Sequence, residues 1–213
     1  MNVHTADNEL TLRARNLRTV GLLAGLFVLP LALSFWLYYG LHWHPAGMTN
    51  HGELIEPPRP LPALPAPPRL TVPGSPAELA REAAPETLFR ARWTLVYIGD
   101  GACDAHCRDA LYFMRQTRLS LNNDMTRVRR VFLATGAAPD EGLLAREFAG
   151  LTVVRIQGPQ LTQLLAQFPA RDQAHSLYVV DPLGNLMMRY DARRSPKGLL
   201  EDLKKLLQLS HIG

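Results

Sequence analysis

Two cysteines, Cys103 and Cys107, stand four residues apart in the stretch 97–110, YIGDGACDAHCRDA, where a buried-strand pattern hands over to a helix. That spacing puts both sulfurs on one face of the first helical turns. Two thiolates side by side can exchange with a disulfide or hold a soft metal ion. They are the only two cysteines in the chain, too few for a disulfide framework, so they are either a pair with each other or a site. A structural zinc ion fits poorly, because it wants four closed ligands and here only two would be thiolates. The N-terminal end of a helix, with its unpaired amide protons and positive dipole end, favours the thiolate that both chemistries need.

A dithiol oxidoreductase would show Cys-x-x-Cys and a proline just before the next core strand. This chain has one residue more between its cysteines, and Ala174-His175-Ser176 precedes the strand. In an α/β arrangement that segment packs beside the cysteine helix, which puts an imidazole where an oxidoreductase has an inert ring. His106, between the cysteines, reads as solvent-facing. Asp100 and Asp104 read as caps of the helix rather than as groups that tune the thiolates. Met187 and Met188 read as core or hairpin packing.

The elements that must position these residues alternate along 77–213. Strands are expected at 93–98, 128–134, 151–156, 175–180 and 186–190, and helices at 103–119, 141–148, 159–168 and 196–209. Leu161, Leu164, Leu165 and Phe168 follow helical spacing, and Pro196 suits the first turn of the last helix. Asp181-Pro-Leu-Gly184-Asn185 makes the turn of a hairpin. The pattern is an α/β sandwich around a mixed sheet.

Ahead of this domain, residues 1–19 are polar and carry Arg13, Arg15 and Arg18, and residues 20–41 carry no charge. A membrane span needs roughly 20 apolar residues, and Trp36, Tyr38, Tyr39 and Trp43 form an aromatic belt at the far end. A cleaved signal peptide is the alternative, but its apolar core is only about 7–15 residues and a small-x-small cleavage site is wanting. The arginines predict an N-inside, single-pass anchor in the inner (cytoplasmic) membrane, with the C-terminal domain in the periplasm. Residues 42–76 read as a linker, its prolines from Pro57 to Pro68 running as polyproline II. His42, His44 and His51 are irregularly spaced and read as solvated. The formal charge of +4 comes from scattered basic residues, which is no footprint for nucleic acid.

With these residues in view, the domain resembles the Sco/SenC family of thioredoxin-fold, copper-binding assembly factors for cytochrome c oxidase. The resemblance rests on the Cys-x-x-x-Cys motif after the first core strand, a later histidine, the Asp-Pro-x-Gly hairpin and the N-terminal anchor. It implies a thioredoxin-like sandwich that binds one copper ion, Cu(I) or Cu(II), through Cys103, Cys107 and His175. It also implies as partner an oxidase subunit with a copper centre, or another copper chaperone. Asp104 and Arg108 stand where the family usually has proline after each cysteine, and Gly99 to Ala102 replace an aromatic-rich approach, so the chain is a divergent member. Cu(I) is soft and accepts low coordination numbers, which two thiolates and a neutral imidazole suit.

The function expected is therefore a membrane-anchored copper chaperone. The alternative is a periplasmic thiol–disulfide oxidoreductase in which Cys103 attacks and Cys107 resolves. A peroxidase of this fold would have threonine three residues before its reactive cysteine, where this chain has Asp100 and Asp104.

Overall fold

The computed structural model describes residues 3–41, 49–66, 87–194, 196–210 and 212. They form two units, Met1–Met48 and Thr49–Gly213. The first is helix α1 (Val3–Phe35), extended by a π-helical turn at Trp36–Gly40. Its segment Arg15–Gly40, 26 residues of mean hydropathy 2.2, is long and apolar enough to cross a membrane. Pro30 lies inside α1, where a spanning helix tolerates it.

The second unit is built on a six-stranded mixed sheet. Its strands are β1 (Glu53–Pro60), β4 (Trp93–Asp100), β5 (Val128–Thr135), β6 (Thr152–Arg155), β7 (Ser176–Val180) and β8 (Asn185–Asp191), in the order β1-β8-β7-β4-β5-β6. A short pair, β2 (Leu64–Pro65) and β3 (Thr87–Leu88), stands apart. β4 pairs parallel with β5 and antiparallel with β7, so the strand that leads to the cysteines is central. The helices are α2 (Ala105–Leu119), α3 (Glu141–Glu147), α4 (Pro159–Ala166) and α5 (Pro196–Leu209).

Strand alternation divides the core into two clusters. Leu95 and Tyr97 of β4 join Phe132, Leu177 and Val179 beneath Leu111 and Met114 of α2 and Leu203 of α5. Val96 and Ile98 face the other way, with Val131, Leu133 and Tyr178, against Leu164 of α4 and Phe89. A side-chain period of two on a sheet covered on both faces produces this split. The fold is the thioredoxin-like sandwich with a mixed sheet that the resemblance implies.

The linker reading differs from what residues 53–60 do. They form β1, an edge strand antiparallel to β8, with Glu53 opposite Arg189 and Pro60 opposite Asn185. Proline removes a ladder donor, and sheets admit it at edges and bulges, where half of the backbone groups need no partner. The register of β1 slips between Leu54 and Arg59, and Pro57 and Pro58 fall in that slip. The stretch is then fixed by burial: Ile55 and Leu61 enter the second core cluster, and the Leu61 amide donates to the Gly184 carbonyl at 2.8 Å. Residues 42–48 and 67–76 of the same stretch, His42 and His44 included, lie outside the described residues, as do residues 77–86 at the start of the expected domain.

Candidate metal and thiol site

β4 delivers the chain to the cysteines through a turn whose three amides, from Gly101 to Cys103, each have an acceptor. The Gly101 amide donates to the Thr135 carbonyl at 2.8 Å, and the Cys103 amide to the Asp100 carbonyl at 3.0 Å. The Asp100 carboxylate accepts from the Ala102 amide at 2.8 Å. A Cβ on residue 101 would come within 2.0 Å of the Ala137 carbonyl oxygen, so only glycine passes here. Cys103 takes a left-handed conformation, φ 48°. Asp104 then caps α2, its carboxylate accepting from the Cys107 amide at 2.9 Å. Asp104 is thus the helix cap that the sequence implies, whereas Asp100, expected as a second cap, closes the turn ahead of the helix instead, because β4 runs to residue 100 and the helix starts only at Ala105.

Cys103 and Cys107 are joined as a disulfide, with Cα atoms 5.0 Å apart. They are only 6% and 2% exposed. Among the described residues no group of three or more His, Cys, Asp and Glu side chains is set to hold a metal ion, and in this state the two sulfurs are engaged with each other.

His175 ends a 3-10 turn, Gln173–His175, that packs against both β4 and α2. Its ring meets the ring of His106 edge to face, with centroids 5.0 Å apart and planes at 88°. His106 is exposed, as expected, and His175 is half-buried. The late histidine is therefore brought to the helix turn that carries the cysteines, and it arrives on the residue between them.

Tyr97 holds this turn from below. Its hydroxyl donates to the Ala174 carbonyl at 3.0 Å, while its ring stacks on Phe132. Burial, and secondarily the Asp104 carboxylate, push the phenol up to about 12. From the side, the Ala192 amide donates to the His175 carbonyl at 2.7 Å. Arg193 pairs with Asp172, at the start of the turn, and with Asp191 at 2.8 Å. No motif marks Tyr97, and its signal is strand parity: it shares with Leu95 the face beneath α2, where a buried phenol needs an acceptor.

The other candidates are spent on structure. His51 Nε2 lies 2.8 Å from a Glu201 carboxylate oxygen. Met188 is buried in the first core cluster and Met187 packs against it. In the hairpin turn, Asp181 accepts from the Asn185 backbone amide at 2.7 Å and from its side-chain amide at 2.8 Å.

A cysteine pair at the head of the helix that follows the central strand of a mixed sheet defines a thioredoxin-fold dithiol protein. The sequence pattern of the family described as transmembrane-like, thioredoxin-like, C-terminal domain matches residues 93–210, and the chain belongs to that family. Among solved structures the chain is similar to apo Sco1 of Thermus thermophilus, with TM-score 0.54 and 18% identity over 76% of this chain and 99% of that one. It is also similar to yeast Sco1 with copper bound, with TM-score 0.50 and 14% identity over 69% of this chain and 94% of that one. At these identities the likeness is one of fold. No curated protein matches the chain in sequence.

Proposed function

We propose that this protein is a membrane-anchored copper carrier, taking Cu(I) as cargo on the reduced sulfurs of Cys103 and Cys107 and the imidazole of His175. The observation that carries the reading is the packing of the 3-10 turn bearing His175 on α2, the helix that holds Cys107 and begins just after Cys103. The donor chemistry fits, because two soft thiolates and one imidazole match a monovalent soft ion. The burial of both sulfurs also weighs toward an ion, since a small cargo reaches thiols that a protein substrate meets with difficulty. Loading requires the disulfide to open. An external dithiol supplies two electrons and two protons and leaves as its own disulfide; the two thiols then release their protons to solvent as the ion binds. By the same reading the domain faces the periplasm, and its client is an oxidase subunit with a copper centre or another copper chaperone.

One observation favours a second reading, a thiol–disulfide oxidoreductase: the cysteines already form a disulfide with each other. The test is Cu(I) titration of the reduced full chain in detergent against a competing chelator. One ion per chain, lost in Cys103→Ser and in Cys107→Ser, supports the carrier. Turnover with dithiol substrates and no retained Cu(I) supports the oxidoreductase.

A further inference from the structure

The pairing of His106 with His175 is not part of the three-donor set, and it exists while the sulfurs are bonded to each other. We propose that these two imidazoles form a site for Cu(II) that is open in the disulfide state. The inference shares with the carrier reading only the position of His175; it needs neither sulfur.

The geometry suits the assignment. With metal–nitrogen bonds of about 2.0–2.1 Å, the centre of an imidazole lies about 3.2 Å from the metal, and two such rings in adjacent positions of the tetragonal geometry that Cu(II) prefers have centres about 4.5–5 Å apart. The observed separation is 5.0 Å. Of the two rings, His106 is exposed and His175 half-buried, on a turn whose backbone is pinned by the Tyr97 hydroxyl at the Ala174 carbonyl and by the Ala192 amide at the His175 carbonyl. Rotation about the side-chain bonds of the two histidines can aim a nitrogen of each at a common point, and water completes the coordination. Imidazole suits Cu(II) where thiolate suits Cu(I), so His175 serves Cu(II) together with His106 and Cu(I) together with the two cysteines.

The experiment is Cu(II) titration of the oxidised full chain in detergent, followed by electron paramagnetic resonance for nitrogen coupling. The expected result is one ion with two coupled nitrogens at the first equivalent. His106→Ala and His175→Ala should each weaken binding at least about tenfold, the lower end of what losing even an indirect partner costs at a metal site. Alanine at His42, His44 and His51 together should leave that first equivalent in place. Unchanged Cu(II) affinity in His106→Ala overturns the proposal, as does loss of the signal in the His42, His44, His51 variant. Neither result touches Cu(I) binding by the reduced protein, which is measured separately.

Discussion

The hydroxyl of Tyr97, on the central strand, donates a 3.0 Å hydrogen bond to the carbonyl of Ala174, the residue before His175. One bond thus ties the strand that leads into the cysteines to the turn that presents the imidazole.

Tyr97→Phe should lower the unfolding free energy by about 1 kcal/mol, the usual net worth of such a bond. It should also change the alkaline limb. The folded phenol is held up to about 12 against an ordinary value of 10.0, so its contribution is complete below pH 10 and is lost as pH rises toward 12. Urea melts between pH 8 and 12, run on both proteins, check this: the variant should lose part of that slope.

At the other end of the pH scale, Arg193 holds the Asp191 carboxyl down to about 2 from an ordinary 3.8. A depressed carboxylate stabilises the fold above its unfolded value, and the effect disappears as pH falls through the folded one. Stability should therefore decline between about pH 4 and pH 2, and Asp191→Asn should flatten that decline while being less stable at pH 7.

Gly52 approaches the Tyr190 ring so closely that a Cβ would sit 2.4 Å from it. That ring cannot retreat, because its hydroxyl donates to the buried Asp202 carboxylate at 2.6 Å, which also accepts from the His51 amide at 2.7 Å and the Gly52 amide at 3.1 Å. Gly52→Ala should cost about 1–3 kcal/mol by overpacking. Thermal melting of the full chain gives the number. An unchanged melting temperature would mean that the stretch before β1 is not held against α5 in solution.

Reducing the Cys103–Cys107 disulfide opens a very short loop. Chain entropy alone puts the loss at about 2 kcal/mol. Melts with and without a strong reductant should differ by that order, and the domain should stay folded, because the core clusters do not depend on the bond.

The strands and helices from 93 onward were legible because their local signals are strong: apolar runs in β4, in β7 and in the 131–134 half of β5, alternation in β8, and helical spacing in α4 and α5. β1 was not legible. Its prolines carry the local signal of polyproline II, and what overrides it is tertiary, namely an open sheet edge and the burial of Ile55 and Leu61. The place of the cysteines after β4, and the packing of the segment around His175 beside α2, could be read from residue type and position. The role of Tyr97 follows from which carbonyl its hydroxyl meets, and the contact between His106 and His175 from the fold of two segments about seventy residues apart in the chain. No local pattern contains either.

The central claim is that His175 and the cysteine pair act on one ion. The most direct measurement is the Cu(I) affinity of the reduced full chain beside that of His175→Ala, by competition with a chelator, with the melting temperature of both recorded. The account predicts one ion per chain and an affinity at least about tenfold weaker in the variant. Equal affinities in two equally folded proteins would contradict it.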